Sequence, residues 1–222
     1  MKGLAAQREE LTRVGRSLFE RRFTAGSSGN LSVRVDDGFL VTPTNSSLGE
    51  LDPTALAHLS SDGRHLSGAA PSKEWFFHRA CYEARTSIGA VIHLHSPYAA
   101  AVSCLADLDC TDCLPPLTAY QVMKFGPVPL IPFFRPGDGA LGPAVGGLIG
   151  RHTAVLLANH GPVIVGRTLE AALYAAEELE ETAKLFLLLR GSQPRLLSEA
   201  QIADVKRHFP PDPDLADRAV DP

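Results

Sequence analysis

The chain has 222 residues, of which 45% are hydrophobic, so it can bury the core of one sizeable domain. Its 21 basic and 25 acidic residues are spread along the chain and give a net charge of −4, which argues against a nucleic-acid partner. No apolar run is long enough to cross a bilayer, and the charged N-terminal segment lacks the apolar core of a signal peptide. We therefore expect a single cytoplasmic domain over residues 1–222, with neither nucleic acid nor membrane as a partner.

The first third of the chain predicts one helix followed by hairpins. Apolar residues recur at helical spacing over residues 4–21. Short strands over 31–35 and 39–42 flank an Asp-Asp-Gly turn, which is typical of a hairpin. Residues 46–68 are rich in loop formers and predict a short helix and another hairpin.

In the middle of the chain, a helix, a strand and a second helix are predicted in succession. Residues 71–85 turn helical after a proline, with Ser72 as the expected N-cap and Glu74 in the first turn. The apolar segment 88–95 predicts a buried strand. Residues 96–106 predict a helix with a proline in its first turn.

The second half predicts weaker elements and then one long helix. Residues 105–137 are rich in proline with short extended pieces, and 137–152 predict a glycine-rich helix. Two strands around a turn are expected over 153–166. The longest helix is expected over 168–191, and the Asp/Pro-rich segment 210–222 is expected to be a loose tail.

Side-chain patterns within the long helix predict its start and one ion pair. Thr168 is the expected N-cap, because its hydroxyl can accept a hydrogen bond from a backbone N–H of the first turn. Glu180 and Lys184 are four residues apart, a spacing at which opposite charges can pair on a helix surface.

Four cysteines are present, and two of them, Cys110 and Cys113, form a C-x-x-C pair. A structural zinc site normally requires a second such pair, which the chain does not have. A redox pair is the alternative, although no strand-to-helix transition is predicted there. We interpret all four cysteines as reduced thiols without a function.

Histidines lie at the ends of two predicted strands. His93 and His95 are two residues apart, so on a strand they point to the same side and can reach one metal ion. His160 again follows an apolar strand, and Glu74 is the best fourth ligand. Three imidazoles and a carboxylate suit Zn²⁺ or a similar divalent ion. Two ordinary polar residues at a strand end remain the alternative for the first pair, and His78 remains an alternative ligand, although core packing or a hydrogen bond beside the site is preferred for it.

Two loops of small polar residues suit an anionic ligand. Residues 26–30 and 42–47 present backbone N–H groups, hydroxyls and amides of the kind that bind phosphate oxygens. Ser72 and Lys73 could add a donor and a positive charge. Taken singly, each loop could equally be a simple turn.

The motifs together resemble the class II aldolase/adducin-like family, which includes L-fuculose-phosphate aldolase and L-ribulose-phosphate 4-epimerase. The resemblance covers roughly residues 4–205 and rests on "GSSGNLSVR", "VTPTN", "PSKEWFFHRACY", "AVIHLHSPYAAAVS" and "LLANHGPVIVGRTLEAALYAAEELEETAKL", in that order. It implies an α/β fold with α/β/α layers, in which helices flank a mainly antiparallel sheet. It also implies a homotetramer with active sites at subunit interfaces.

The resemblance also implies roles for individual residues. The family's zinc ligands fall on His93, His95 and His160, with one ion per subunit. The catalytic acid/base falls on Glu74, which can also ligate the metal when substrate is absent. The phosphate pocket falls on Asn30, Thr44, Asn45 and Ser72.

Two departures favour one branch of the family. Asn45 stands where the aldolases have glycine, and Lys73 stands where they have serine. Lysine at that position resembles the 3-oxo-tetronate 4-phosphate decarboxylases, and so do the stretches "LPPLTAYQVMKFG", "FFRPGD" and "AEELEETAKL". The expected partner is therefore a phosphorylated sugar acid.

The expected reaction is decarboxylation of this 3-oxo acid to dihydroxyacetone phosphate in sugar-acid catabolism, through an enediolate that Zn²⁺ stabilises as a Lewis acid. Glu74 is expected to manage the proton and Lys73 to hold the substrate carboxylate. Tyr120 is either a general acid that reaches across a subunit boundary or a structural tyrosine. The alternatives are a class II sugar-phosphate aldolase, a pentulose-phosphate 4-epimerase and a non-enzymatic scaffold of the same fold.

Overall fold

The computed structural model describes residues 3–211 and 213–216. Within them the strands are β1 (Asn30–Val35), β2 (Gly38–Val41), β3 (Ala57–Ser60), β4 (His65–Ser67), β5 (Ala90–His93), β6 (Leu130–Ile131), β7 (Ala154–Leu157) and β8 (Gly161–Gly166). The helices are α1 (Leu4–Glu20), α2 (Trp75–Ala84), α3 (Pro97–Ser103), α4 (Ala119–Lys124), α5 (Leu141–Ile149), α6 (Leu169–Leu189), α7 (Glu199–His208) and α8 (Pro213–Ala216). Two short 3₁₀ turns lie at Leu48–Glu50 and Pro53–Ala55.

All eight strands form one sheet in the order β4-β3-β2-β1-β5-β8-β7-β6. Every neighbouring pair is antiparallel except β6 and β7, which run parallel. The predicted hairpins β1–β2, β3–β4 and β7–β8 are therefore confirmed. The sheet is mixed but mostly antiparallel, as the family resemblance implied.

Helices cover both faces of the sheet and give it three layers. On one face α1, α3 and α6 pack on a core that includes Leu31, Ile92 and Ile164. On the other face α2 and α5 pack on a core that includes Val91 and Val163. Adjacent residues of one strand belong to opposite cores because side chains alternate along a strand. Both faces are thus buried, which explains the nearly continuous apolar runs of β5, β7 and β8.

Most element predictions agree with the structure, but some boundaries and two helices do not. Helix α2 begins at Trp75, so Glu74 is its N-cap and Ser72 lies before the helix. Strand β5 ends at His93, so His95 lies beyond the strand. Helices α4 and α7 were not predicted, because α4 is only six residues long within a proline-rich segment and α7 has no buried residues. The predicted tail over 210–222 lies partly outside the described residues, which include a short helix over 213–216.

The predicted ion pair of the long helix is wrong. Thr168 caps α6 as expected, because its hydroxyl accepts a hydrogen bond from the N–H of Ala171. Glu180, however, is buried and accepts hydrogen bonds of 2.8 Å from the N–H groups of Tyr98 and Ala99 at the start of α3. A buried carboxylate is stabilised better by two N–H donors at a helix start than by a lysine in solvent.

All four cysteines lie in the described part of the chain and are free thiols, with Cys110 and Cys113 in a loop. Cys81 and Cys113 are buried, whereas Cys104 and Cys110 are exposed. Among the described residues, none of the helices combines the length and apolar character needed to span a membrane.

Candidate metal centre and active site

Three imidazoles meet at one edge of the sheet. His93 is the last residue of β5, His95 follows two residues later, and His160 lies in the turn between β7 and β8. Their ring centroids are 4.6 to 5.1 Å apart, and one nitrogen of each lies within 4.8 Å of the others. The structure therefore brings together the three histidines that the sequence predicted.

The β7–β8 turn holds His160 against the other two histidines. Gly161 leaves room for this approach, since a Cβ there would lie 2.3 Å from the carbonyl oxygen of Leu94. The N–H of His160 contacts the hydroxyl of Ser103 at 3.2 Å, and the N–H of Asn159 donates to the carbonyl of the same serine. The last residue of α3 thus fixes the backbone that carries His160.

His93 is oriented as a metal ligand. Its Nδ1 lies 2.9 Å from the carbonyl oxygen of Pro162 and must donate to it, because a carbonyl oxygen only accepts. Nε2 therefore carries the lone pair, and this atom is buried without a hydrogen-bond partner among the described residues. Buried polar atoms normally have partners, so an orphan nitrogen beside two further imidazoles fits a bound metal ion.

Electrostatics keep two of the three imidazoles, those of His93 and His95, in the neutral form that metal binding needs. Desolvation by burial, together with the neighbouring His160 and His95, holds the pKa of His93 well below its usual value. Desolvation also lowers the pKa of His95, again with His160 contributing. Imidazoles with lowered pKa values remain unprotonated near neutral pH and keep their lone pairs for a cation.

Glu74 completes a set of one carboxylate and three imidazoles. Its Oε2 lies 3.5 Å from Nε2 of His93 and its Oε1 lies 3.7 Å from Nε2 of His160. As the residue before α2, it extends from a different layer of the fold to the same point. Histidine nitrogens with a carboxylate oxygen are the donors that Zn²⁺ prefers, so these residues fit a divalent metal ion.

The two polar loops border this cluster. Gly29 has a φ of +79° and lets the first loop lie against β5, because a Cβ at this position would come within 2.9 Å of the carbonyl oxygen of His93. The second loop is joined to the start of α2, because the N–H of Ser72 donates to the carbonyl of Thr42 and the N–H of Thr44 donates to Ala70. Both loops that were predicted to bind phosphate therefore lie near Glu74.

Asn45 adopts a left-handed backbone conformation with φ +56°. Glycine adopts this conformation most easily, and asparagine is among the few other residues that tolerate it. This backbone conformation therefore agrees with an asparagine at the position where the family resemblance implies glycine.

The remaining predicted site residues occupy different environments. Thr44 is half-buried, Asn45 and Lys73 are exposed, and the buried Ser72 accepts a hydrogen bond at Oγ from the N–H of Glu74. Tyr120 is 61% exposed on α4, and no hydrogen bond or ring contact joins it to the cluster among the described residues. The roles of Lys73 and Tyr120 stay predictions.

Asn30 has a contact that the sequence did not reveal. It is paired with His93 across β1 and β5, and its side-chain Nδ2 donates to Oε2 of Glu74 at 2.7 Å. Its Oδ1 lies 2.5 Å from Nε2 of His78, which is fully buried and hydrogen-bonds to Ser32 through Nδ1. His78 is therefore held by hydrogen bonds beside the site, which agrees with the preferred interpretation from the sequence.

The fold is that of the class II aldolases, with a mostly antiparallel sheet between helix layers and an imidazole cluster at a strand edge. A solved L-fuculose 1-phosphate aldolase aligns with a TM-score of 0.84 at 28% identity over 91% of this chain and 95% of its own. The class II aldolase and adducin N-terminal domain family matches residues 9–187. The chain belongs to this family, and the resemblance predicted from the motifs is confirmed.

Within the family, some relatives are markedly more similar than others. The 3-oxo-tetronate 4-phosphate decarboxylase of Pectobacterium atrosepticum is 47% identical over 89% of this chain and 91% of its own length. That of Escherichia coli K12 is 46% identical over 90% and 94%. The L-fuculose phosphate aldolase of Escherichia coli K12 is 33% identical over 90% and 89%. The crystal structure of YgbL from Escherichia coli aligns with a TM-score of 0.90 at 45% identity, covering 92% of this chain and all of that one.

Proposed function

We propose that this chain is a divalent-metal-dependent 3-oxo-tetronate 4-phosphate decarboxylase. The observation that carries the proposal is the convergence of three imidazoles and one carboxylate at a sheet edge bordered by phosphate-type loops. The decarboxylase rather than the aldolase activity is supported by relatives of that name at 44 to 47% identity, against 33 to 34% for the aldolases.

His93, His95 and His160 would hold the metal ion, and Glu74 would join them when substrate is absent. We propose Zn²⁺, because imidazole-rich sites with one carboxylate are typical of zinc enzymes. A bound divalent ion supplies a Lewis acid that polarises the carbonyl next to the bond that breaks.

The substrate is a β-keto acid, and this determines which bond breaks. The C1–C2 bond breaks, carbon dioxide leaves, and the electron pair of that bond remains on the substrate as an enediolate shared by C2, C3 and the C3 oxygen. Protonation at C2 gives dihydroxyacetone phosphate. Glu74 is placed to deliver this proton, because Asn30 fixes Oε2 while Oε1 receives no hydrogen bond among the described residues.

Other residues would bind the two charged ends of the substrate. The phosphate would lie on the backbone and hydroxyl donors of Thr44, Asn45 and Ser72. The side chain of Asn30 is occupied by Glu74 and His78 and its backbone pairs with His93 of β5, so Asn30 would border the phosphate pocket without donating to the phosphate. Lys73, exposed beside Ser72, would attract the substrate carboxylate without burying it.

We further propose a homotetramer with active sites at subunit interfaces. Tyr120 is an exposed aromatic residue on α4, which suits contact with a neighbouring subunit. In that arrangement its hydroxyl would act as a general acid in the neighbour's site.

The test is product analysis with both C2 epimers of 3-oxo-tetronate 4-phosphate. Formation of dihydroxyacetone phosphate, followed with a coupled enzyme, together with an equal amount of carbon dioxide from one epimer would support the proposal. A ketose 1-phosphate and a pentulose 5-phosphate are assayed alongside. Release of an aldehyde from the ketose phosphate, or epimerisation of the pentulose phosphate, without turnover of either oxo acid would refute it.

A further inference from the structure

A continuous chain of buried side-chain hydrogen bonds leads from the far end of α2 to Glu74. Tyr82 OH lies 2.7 Å from Ser32 Oγ, which lies 2.7 Å from His78 Nδ1. His78 Nε2 lies 2.5 Å from Asn30 Oδ1, and Asn30 Nδ2 lies 2.7 Å from Glu74 Oε2. Every member except Glu74 is buried, with His78 and Ser32 fully enclosed.

Chemistry fixes the direction of every hydrogen bond in this chain. The carboxylate of Glu74 only accepts, so Asn30 must present its NH₂ group to it and its Oδ1 to His78. Oδ1 only accepts, so Nε2 of His78 carries the proton. Burial lowers the pKa of His78 to about 3, so the ring is neutral near neutral pH and Nδ1 must accept from Ser32. The hydroxyl of Ser32 therefore donates to Nδ1 of His78, and its oxygen accepts a hydrogen bond from the hydroxyl of Tyr82.

We propose that Ser32 and His78 are positioning residues. Ser32 holds His78 in the Nε2–H tautomer, and the N–H of His78 in turn orients Asn30 so that its NH₂ group donates to the catalytic carboxylate of Glu74. This inference rests on the proposed function, because it assigns these residues to the proton-transfer step. Neither residue touches the substrate or the metal.

The tautomer of His78 matters because the other tautomer would reverse the direction of these hydrogen bonds. With the proton on Nδ1, the lone pair of Nε2 would face Asn30 and draw its NH₂ group round toward the histidine. Oδ1 would then face Oε2 of Glu74, and two acceptors at 2.7 Å repel each other. The carboxylate would rotate away from His93 and His160. The hydroxyl of Ser32 opposes this reversal from the other end, since it is the group that donates to Nδ1.

A role in packing alone is the competing explanation. His78 also stacks on Phe77 at 4.8 Å, so loss of the histidine could act through the core. Substitutions are therefore needed that change the hydrogen-bond direction and leave the packing in place.

The main variant is Ser32→Ala, with Thr182→Val as the matched control. Thr182 is also fully buried, and its hydroxyl has no hydrogen-bond partner among the described residues. The first readout is the tautomer of His78, from long-range ¹H–¹⁵N NMR spectra of ¹⁵N-histidine-labelled apoprotein. The second is kcat and KM for the metal-loaded enzyme, in the wild-type background and in Glu74→Gln.

We expect pure Nε2–H tautomer in the wild type and in Thr182→Val, and a mixture in Ser32→Ala. The kcat of Ser32→Ala should fall about 10- to 100-fold, as for other hydrogen-bond partners of metal-site residues, with KM changed less than about threefold. In Glu74→Gln the same substitution should produce no further loss. An unchanged tautomer and kcat in Ser32→Ala, or an equal loss in both backgrounds, would overturn the inference.

A second pair of variants tests the inference if Ser32→Ala fails to fold. His78→Gln keeps an N–H donor for Asn30, whereas His78→Leu removes it at similar volume. The inference predicts that His78→Gln retains most of the kcat and that His78→Leu loses at least about tenfold. Equal activities of the two would overturn it. Failure of the proposed function would instead show as full activity of Glu74→Gln, or as no decarboxylation by the wild type.

Discussion

At the scale of single residues, atoms without partners identify the chemistry best. Nε2 of His93 is buried and finds no hydrogen-bond partner within residues 3–211 and 213–216, while its Nδ1 is fixed by the carbonyl of Pro162. A buried nitrogen of this kind is costly unless something binds it. The sequence could nominate His93 as a ligand, but it could not show which nitrogen is free, because the proline carbonyl comes from a strand 69 residues away.

Substitution of His95 by alanine should remove the metal. It leaves two imidazoles and a carboxylate, and loss of one ligand from such a set weakens binding steeply. We expect the purified variant to contain less than about a tenth of the wild-type metal by elemental analysis and to show no turnover. His208→Ala, an exposed histidine at the end of α7, should keep full metal content. Near-normal activity of His95→Ala would contradict the site assignment.

Substitution of Glu74 by glutamine tests proton transfer. The amide has nearly the same shape but cannot exchange a proton, so the fold should persist and kcat should fall about 10²- to 10⁴-fold. Steady-state kinetics measure the effect. Glu83→Gln serves as the control, because Glu83 is an exposed carboxylate on α2, the helix that Glu74 precedes, and is paired with Arg79. An unaltered kcat would exclude Glu74 from proton transfer.

At the scale of elements, the site depends on how strand ends and helix starts are joined. The cluster forms where β5 ends, where β7 turns into β8 and where α2 begins. Buried contacts with neighbouring elements hold each of these junctions. Helix α3 begins two residues after His95, and its start is bound to α6 through the carboxylate of Glu180.

Substitution of Glu180 by glutamine should therefore destabilise the fold. One of its two oxygens becomes an NH₂ group that faces a backbone N–H, so a buried charge-assisted hydrogen bond is lost. We expect the free energy of unfolding to fall by about 1–3 kcal/mol, measured by urea denaturation. Glu181→Gln changes the adjacent, exposed carboxylate, which pairs with Lys184 at the surface, and should have little effect. Equal stability of the two variants would show that Glu180 does not anchor α3.

At the scale of the whole molecule, the buried neutral histidines link folding to pH. The pKa of His78 is lowered to about 3 and that of His93 well below its usual value, both chiefly by desolvation. Unfolding returns each imidazole to an ordinary value near about 6.5, so below that pH the unfolded chain binds more protons than the folded one. Stability is therefore lost as the pH falls.

The expected loss from His78 is about 2 kcal/mol between about pH 7 and pH 5, at about 1.4 kcal/mol per pH unit below 6.5, and His93 acts in the same direction. Urea denaturation of the apoprotein in chelator at the two pH values measures it. The variant His78→Gln should show a smaller pH dependence, and His208→Gln should match the wild type. Identical free energies of unfolding at both pH values would contradict the prediction.

The sequence predicted most of the elements and the candidate ligands, because these depend on local patterns. Periodicity predicted α1, α6 and three hairpins, and ordered motifs predicted the family and the residues His93, His95, His160 and Glu74. The spacing of residues was less informative about contacts between residues that are far apart in the sequence. It paired Glu180 with Lys184, although the carboxylate binds the start of α3.

Only the tertiary structure decided how these residues act together. The order of the strands places β1 beside β5 and β5 beside β8, which brings Asn30 next to His93 and the proline carbonyl onto Nδ1. The same packing buries His78 of α2 against Asn30 and Ser32 of β1 and so fixes the direction of its hydrogen bonds. A sequence specifies which donors and acceptors exist, but their pairing depends on distances across the sheet and on the burial that excludes water, and both arise only when distant segments pack together.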